Sequence, residues 1–185
     1  GDWVLDQACA QLRAWHDAGH SEWTMAVNLS PLQFASPALL DSVRAALQRH
    51  RIEPARLTLE ITETTAMKDV DASLAILNDL TAMGVHIAID DFGTGYSSLL
   101  YLKRMPATEL KIDRAFVHDL ECNEEDAAIV SSIIALGRTL QLQVVAEGVE
   151  TQAQREYLSE LGCDQLQGYH LGRPMDAEEF LRRVG

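Results

Sequence analysis

The residues of this chain best suited to chemistry are polar groups that punctuate apolar runs. Six short runs stand out, Thr24–Leu29, Leu57–Thr62, Val85–Phe92, Glu109–Asp113, Gln143–Val149 and Asp164–Gly168. They carry Asn28, Glu60, Asp90 with Asp91, Lys111 with Asp113, Glu147 and Gln167 at or near their carboxyl ends. Strands normally avoid such residues. In a parallel barrel the carboxyl ends of all strands open onto one face, so these groups would converge on one mouth. Side chains alternate along a strand, which puts Glu60 on one face with Thr58 and Thr62, and Asp90 with Ala88. Leu59 and Ile89 point the other way. Several carboxylates in one mouth repel unless cations neutralise them. The adjacent pair Asp90-Asp91 calls for a raised pKa or a shared metal. Every candidate ligand is an oxygen, which suits Mg²⁺, Mn²⁺ or Ca²⁺ and not zinc. Two such ions would clamp an in-line displacement at phosphorus and generate hydroxide at neutral pH. Lys111 would orient the attacking water or stabilise developing charge.

Plainer roles stand beside these. Asp113 can cap a turn at Arg114–Val117, Glu150 can be a first-turn residue ahead of a helix at Thr151, and Asn28 can satisfy loop backbone. A different chemistry also fits the pattern, a metal-assisted enolase- or aldolase-type barrel with Lys111 as base or Schiff-base amine. The segment after the paired aspartates, Phe92-Gly93-Thr94-Gly95, places two glycines around a threonine and reads as a mobile active-site loop.

The elements that position these groups follow a repeating rhythm. Nearly every apolar run precedes a stretch of helical periodicity, the pattern of successive strand–helix units and a parallel sheet. Ser36-Pro37 reads as a helix N-cap with proline at the first helical position. Thr151 and Gln154 form a capping box, with Gly162 as the stop. Asn123 precedes Glu124, Glu125 and Asp126, negative charges suited to a helix start. The helix that follows carries Ile129, Val130, Ile133, Ile134, Leu136 and Leu140 on one apolar face. Asp2 is expected to cap an opening helix whose Val4, Ala8, Leu12 and Trp15 share a side. No linker or low-complexity stretch interrupts the chain, so residues 1–185 are expected to form one domain. The fold class expected is α/β, an open sheet or a barrel. A complete barrel has eight strands and about 250 residues. With six units and a start on a helix, this chain is expected to be a (β/α)8 TIM-type barrel lacking about two N-terminal strand–helix units.

Composition narrows the function. With 15 Lys and Arg against 28 Asp and Glu, the chain carries a formal charge of −13. That argues against a grip on the phosphates of a DNA or RNA polymer, while a small anion held by metal ions remains compatible. No stretch approaches the ~18 apolar residues of a membrane span, and no membrane contact is expected from this segment. Cys9, Cys122 and Cys163 lack metal-site or disulfide spacing, so ordinary packing in a reducing, cytoplasmic setting is expected. The six histidines show no ligand spacing, and only His86 and His170 are expected near the mouth.

The runs NLSPLQF (Asn28–Phe34), LEITET (Leu59–Thr64), DDFGTGYSSL (Asp90–Leu99), LKID (Leu110–Asp113), VVAEGVET (Val144–Thr151) and QGYHLGRP (Gln167–Pro174) closely resemble the bacterial EAL-domain family, in order and along essentially the whole chain. The resemblance implies a (β/α)8-type barrel that hydrolyses the second messenger cyclic di-GMP to linear pGpG with two Mg²⁺ or Mn²⁺ ions, and that Ca²⁺ inhibits. It implies Asn28, Glu60 and Asp90 as ligands of a first metal, and Asp90, Asp91 and Glu147 as ligands of a second, with Asp90 bridging. Lys111 resembles the residue that contacts the nucleophilic water, and Glu147 has also been cast as general base. Asp113, Glu150 and Gln167 match further active-site, substrate-binding positions, and Tyr169–Pro174 a stretch near a guanine. Glu63 resembles the glutamate that holds the regulatory loop Phe92, Gly93, Thr94 and Gly95, which in the family couples dimerisation to activity. A homodimer, and fusion to or regulation by sensory or GGDEF-type domains, are further implications, in a protein that is cytoplasmic or the cytoplasmic part of a membrane-anchored one.

One departure stands out. The Glu-Ala-Leu tripeptide that names the family, with its metal-binding glutamate, is absent. An N-terminally truncated chain accounts for this, and such a fragment is expected to be weak or inactive. The alternative is a non-catalytic cyclic di-GMP receptor.

Overall fold

The structure, a computed structural model, describes residues 2–95 and 99–184. Tyr96, Ser97 and Ser98 of the DDFGTGYSSL run lie outside the described residues. Helix α1 (Asp2–Asp17) opens the chain, followed by strand β1 (Met25–Asn28), short helix α2 (Pro31–Phe34), α3 (Leu39–His50) and strand β2 (Leu57–Thr62). Next come α4 (Glu63–Lys68), α5 (Val70–Ala82), β3 (His86–Phe92), α6 (Leu99–Leu102), β4 (Glu109–Ile112) and α7 (Arg114–His118). The chain continues through α8 (Glu124–Leu140), β5 (Gln143–Ala146), α9 (Gln152–Glu160), β6 (Gln165–Leu166) and α10 (Ala177–Val184).

The six strands form one sheet in sequence order, and every neighbouring pair is parallel. This is the expected α/β architecture, a curled half-barrel with helices outside. Strand faces explain its cohesion. Leu57, Leu59 and Ile61 of β2, Ile87 and Ile89 of β3, Leu110 and Ile112 of β4, and Val144 of β5 are buried. They join one core with Leu12, Val43, Leu77, Leu80, Val130 and Leu158 of the surrounding helices. The opposite faces of the same strands carry the polar residues. Strands buried on both sides in this way are characteristic of parallel sheets.

The packing is tight enough for single atoms to matter. A Cβ added at Gly137 of α8 would stand 2.2 Å from Val144 Cγ2 of β5. Gly137→Ala therefore forces helix and strand apart. We expect a loss of about 1–3 kcal/mol, the range for overpacking a core, read as a lower Tm. An unchanged Tm would mean that this contact is slack.

Several local expectations hold. Asn123 caps α8 by accepting from Glu125 N and Asp126 N. Thr151 and Gln154 form both halves of the capping box at α9. Gly162, at φ 72°, follows the end of that helix in the left-handed region that glycine tolerates.

Others need correction. Asp2 lies inside α1. Of the face expected there, Leu12 is buried and Ala8 and Trp15 pack against the core, but Val4 is 48% exposed, and Leu5 and Cys9 complete the buried side. Ser36-Pro37 does not start α3. Ser36 Oγ accepts from Ala38 N and its carbonyl from Leu39 N, forming a turn ahead of the helix. The proline-led start is instead Ser30-Pro31, a full capping box with Gln33 that opens α2 straight after β1. On α8, Ile129 stays 38% exposed, and Gly137 is among the buried residues instead. The run Gln143–Val149 is strand only to Ala146, because Gly148 turns at φ 71°.

His86 opens β3 opposite Thr58, at the amino end of the barrel and away from the mouth. His170, beyond β6, contacts Gln152 Oε1 at 3.0 Å. Burial pushes the Cys9 thiol up to about 11, with the nearby Asp6 carboxylate adding to it. The Cys163 thiol donates to the carbonyls of Val144 and Gln165, so both cysteines serve packing.

Candidate active site

The carboxyl ends of β2, β3, β4 and the turn after β5 bring four charged side chains into contact. Lys111 Nζ lies 2.8 Å from Glu60 Oε2, 2.7 Å from Glu147 Oε1 and 3.3 Å from Asp90 Oδ1. Lys111, Glu60 and Asp90 are 3%, 7% and 8% exposed, so this contact is shielded from water. Burial works against the Lys111 ammonium, but hydrogen bonds from it to Glu147 and Glu60 outweigh that and hold its pKa above the ordinary lysine value. Glu147 moves upward chiefly because it is buried, against the pull of Lys111.

Backbone geometry brings Asp91 to the same place. Strand alternation would point Asp90 and Asp91 to opposite faces. Ile89 pairs with Leu110 and Phe92 with Ile112, so two aspartates stand against Lys111 alone. This β-bulge carries Asp91 at φ 54°, a left-handed conformation that a bulge accommodates and a regular strand does not. Asp91 N–H donates to Asp90 Oδ1 at 3.0 Å. Burial raises the Asp91 pKa first, and the carboxylates of Asp90 and Asp113 raise it further. Carboxylate oxygens of Asp90, Asp91 and Glu147 all lie within 4.8 Å of one another. Three hard oxygen donors at that spacing, with upward-shifted pKa values on two of them, fit a divalent cation of the Mg²⁺ or Mn²⁺ type.

The other expected residues ring this centre. Asn28 ends β1 in register with Glu60 and is exposed. Asp113 is half-buried, and its Oδ1 accepts from Ala115 N at 2.7 Å, so it caps α7 while its carboxyl group faces Asp91. Glu150 and Gln167 are exposed, on the turn after β5 and directly after β6. Gln167 N donates to Ala146 O, tying that rim to the end of β5.

Glu63 is 2% exposed, and its Oε2 accepts from Gly93 N at 2.9 Å. A Cβ at Gly95 would fall 2.6 Å from Glu63 Oε1, so this carboxylate grips the backbone of the Phe92–Gly95 loop directly. Phe92 is buried beneath it, while Thr94 Oγ1 donates back to Asp91 O. Glu63→Ala removes the Gly93 acceptor. We expect amide exchange at Gly93 to speed up by about tenfold or more, the equivalent of ~1.4 kcal/mol or more of local opening. Exchange unchanged from the native protein would show that Glu63 does not hold the loop.

Two features escaped sequence reasoning. The bulge has no signature beyond the doubled aspartate. Gln154 was visible only as a helix cap, although its side chain also reaches His118 O at 3.1 Å.

Residues 1–174 match the EAL domain family. The chain is 66% identical over 184 residues to the "Bifunctional diguanylate cyclase/cyclic di-GMP phosphodiesterase MucR" of Pseudomonas aeruginosa, covering all of this chain and 27% of that protein. It is 45% identical to the "Cyclic di-GMP phosphodiesterase NbdA" of the same organism, over 98% of this chain and 24% of the relative. The chain thus spans about a quarter of the length of these curated relatives. Among solved structures, "PaMucR Phosphodiesterase, c-di-GMP complex" superposes with a TM-score of 0.96 at 66% identity, over 97% of this chain and 73% of that one. The EAL domain of Mycobacterium smegmatis DcpA gives 0.93 at 38% identity, over 100% of this chain and 83% of that one. The motif order, the half-barrel and these matches agree, and the chain belongs to the EAL-domain family.

Proposed function

We propose that this chain forms the hydrolytic face of a phosphodiesterase that opens cyclic di-GMP to linear pGpG. The observation that carries the proposal is the buried contact of Lys111 with Glu60, Asp90 and Glu147, four charges delivered by separate strand ends. Membership of a family that includes named cyclic di-GMP phosphodiesterases supports cyclic di-GMP as the substrate.

Asp90, Asp91 and Glu147 would hold one divalent cation, with Asn28 and Glu60 joining Asp90 around a second. Bound Mg²⁺ or Mn²⁺ supplies Lewis acidity to phosphoryl oxygen and a hydroxide source at neutral pH. Lys111 stays charged and donates hydrogen bonds, so it orients the attacking water and stabilises charge on the phosphoryl group. Glu147, raised by burial, accepts a proton from that water. Asp113, Glu150 and Gln167 line the rim where a nucleotide would rest. One water adds to phosphorus, the bond to the ribose 3′ oxygen breaks, and that oxygen leaves with a proton as a hydroxyl. The product keeps a 5′-phosphate monoester. A homodimer regulated through the Glu63-held loop, and partner domains that sense signals or carry a GGDEF-type fold, complete this reading. Ca²⁺, larger and looser in its coordination, would bind without supporting turnover.

The test is incubation with cyclic di-GMP and Mn²⁺, with products separated by chromatography. It uses this chain and the same chain extended to the length of the solved homologue. Linear dinucleotide lost on Glu60→Ala supports the proposal. Tight binding with the ring intact in both proteins would make the domain a receptor instead.

A further inference from the structure

We infer that Gln154 is a positioning residue that clamps the turn bearing Glu147 onto helix α7. The inference rests on the metal-binding reading above. Gln154 is polar yet only 2% exposed. A capping box asks its side chain to accept from one amide, that of the N-cap residue. Here Oε1 accepts from two, Glu150 N at 2.7 Å and Thr151 N at 3.0 Å, while Nε2 donates to His118 O at 3.1 Å. His118 is the last residue of α7, 36 positions earlier in the chain.

A second contact locks the same turn at its other end. Gly148 adopts φ 71°, and a Cβ there would lie 2.6 Å from Arg114 Cβ and 3.3 Å from Arg114 Cα. The backbone next to Glu147 therefore rests on the first residue of α7, which Asp113 caps. A third contact joins Thr151 Oγ1 to Glu121, just beyond α7.

The consequence is geometric. Lys111 and Asp113 belong to the segment running from β4 into α7, while Glu147 and Glu150 belong to the turn between β5 and α9. Backbone hydrogen bonds from Glu147 N to Ile112 O and from Val149 N to Gln167 O tie the start of the turn beyond Ala146 to β4 and to the rim after β6, but not to α7. Gln154 and Gly148 add the attachment to α7, and together with those bonds they hold Glu147 2.7 Å from Lys111 and within reach of Asp90 and Asp91. Without the glutamine amide, the Glu150 and Thr151 N–H groups and the His118 carbonyl lose the side chain that joins them, and the turn loses its polar tie to α7.

The experiment compares Mn²⁺ affinity, read from the free-ion electron spin resonance signal, with cyclic di-GMP hydrolysis. It covers wild type, Gln154→Met, Gln154→Glu and Leu158→Ala, all well below their melting temperatures. Leu158 is a buried apolar residue of α9, one helical turn beyond Gln154, with no side-chain hydrogen bond to offer the turn, so its variant controls for lost stability. We expect Gln154→Met to weaken Mn²⁺ binding and lower kcat by about 10-fold to 100-fold, the range for outer residues that orient ligands, with KM within about threefold. Gln154→Glu keeps the accepting oxygen and loses the donor to His118, so it falls between Met and wild type. Leu158→Ala leaves both readouts at wild-type levels. Gln154→Met and Leu158→Ala behaving alike overturns the clamp. A wild type that binds Mn²⁺ but leaves the nucleotide intact, in this chain and in its longer form alike, overturns the hydrolytic reading, and the Mn²⁺ ratio still decides the clamp. A wild type that binds no Mn²⁺ overturns both.

Discussion

Lys111→Met in metal-free buffer is expected to cost about 3–5 kcal/mol of stability, and Mn²⁺ to restore more of it than it adds to the wild type. Lys111 neutralises carboxylates from three elements in a setting that water barely reaches. Removing one partner of a buried charge cluster leaves the others uncompensated, and that loss sets the magnitude. Methionine keeps the length of the side chain, so little packing is lost. With the ammonium gone, Glu60, Asp90 and Glu147 repel one another and take up a divalent cation more readily. A cation at about 100 times its Kd contributes roughly 2.7 kcal/mol. Thermal melts of both proteins in chelator and in Mn²⁺ give the answer. In the proposed reaction the variant also lacks the donor to water and phosphoryl oxygen, so hydrolysis is expected to fall by about 100-fold or more even when the metal is present. Equal melting temperatures in chelator would show that the carboxylates do not depend on Lys111.

Asp90→Asn should lower kcat/KM by about 1000-fold or more while leaving the fold intact. Asparagine keeps the shape, and its oxygen still accepts from Asp91 N. The change therefore removes charge and little else. Asp90 is the one carboxylate assigned to both metals, and it also lies against Lys111. A thousandfold loss is about 4 kcal/mol of transition-state stabilisation, within what metal ions supply to phosphoryl transfer. Stability in chelator should change little or rise, because a like charge leaves a crowded site. Steady-state kinetics beside a melt would separate these effects. Near-native turnover would remove Asp90 from the metal centre.

Much of this was legible because strand ends and chemistry coincide. The apolar runs located six strands, and the polar residues at the ends of four of them, Glu60, Asp90, Lys111 and Glu147, meet in space. Alternation also predicted that Glu60 and Leu59 would face opposite ways, one toward Lys111 and one into the core. What alternation could not supply was the bulge, since two adjacent aspartates should diverge. Their convergence depends on the left-handed Asp91. Helical spacing on α1 placed Ala8, Leu12 and Trp15 against the core and missed only at Val4. Leu5 and Cys9 are equally periodic with Leu12, and spacing alone does not say how far the buried face turns toward them. His86 was misplaced because proximity to Asp90 in the chain says nothing about strand direction, and it opens β3 where Asp90 nears its end. Gln154 shows the limit of local motifs. Its cap was readable from Thr151, but its hold on His118 depends on two helices meeting in space.

In the proposed reaction, water positioned at Lys111 and the surrounding carboxylates opens a phosphodiester. The most direct measurement is turnover of cyclic di-GMP with Mn²⁺ in ¹⁸O-labelled water, with mass spectrometry of the nucleotide. The expected product is linear dinucleotide with one heavy oxygen in its 5′-phosphate. Bound nucleotide that stays cyclic and unlabelled, in this chain and in its longer form alike, would contradict it.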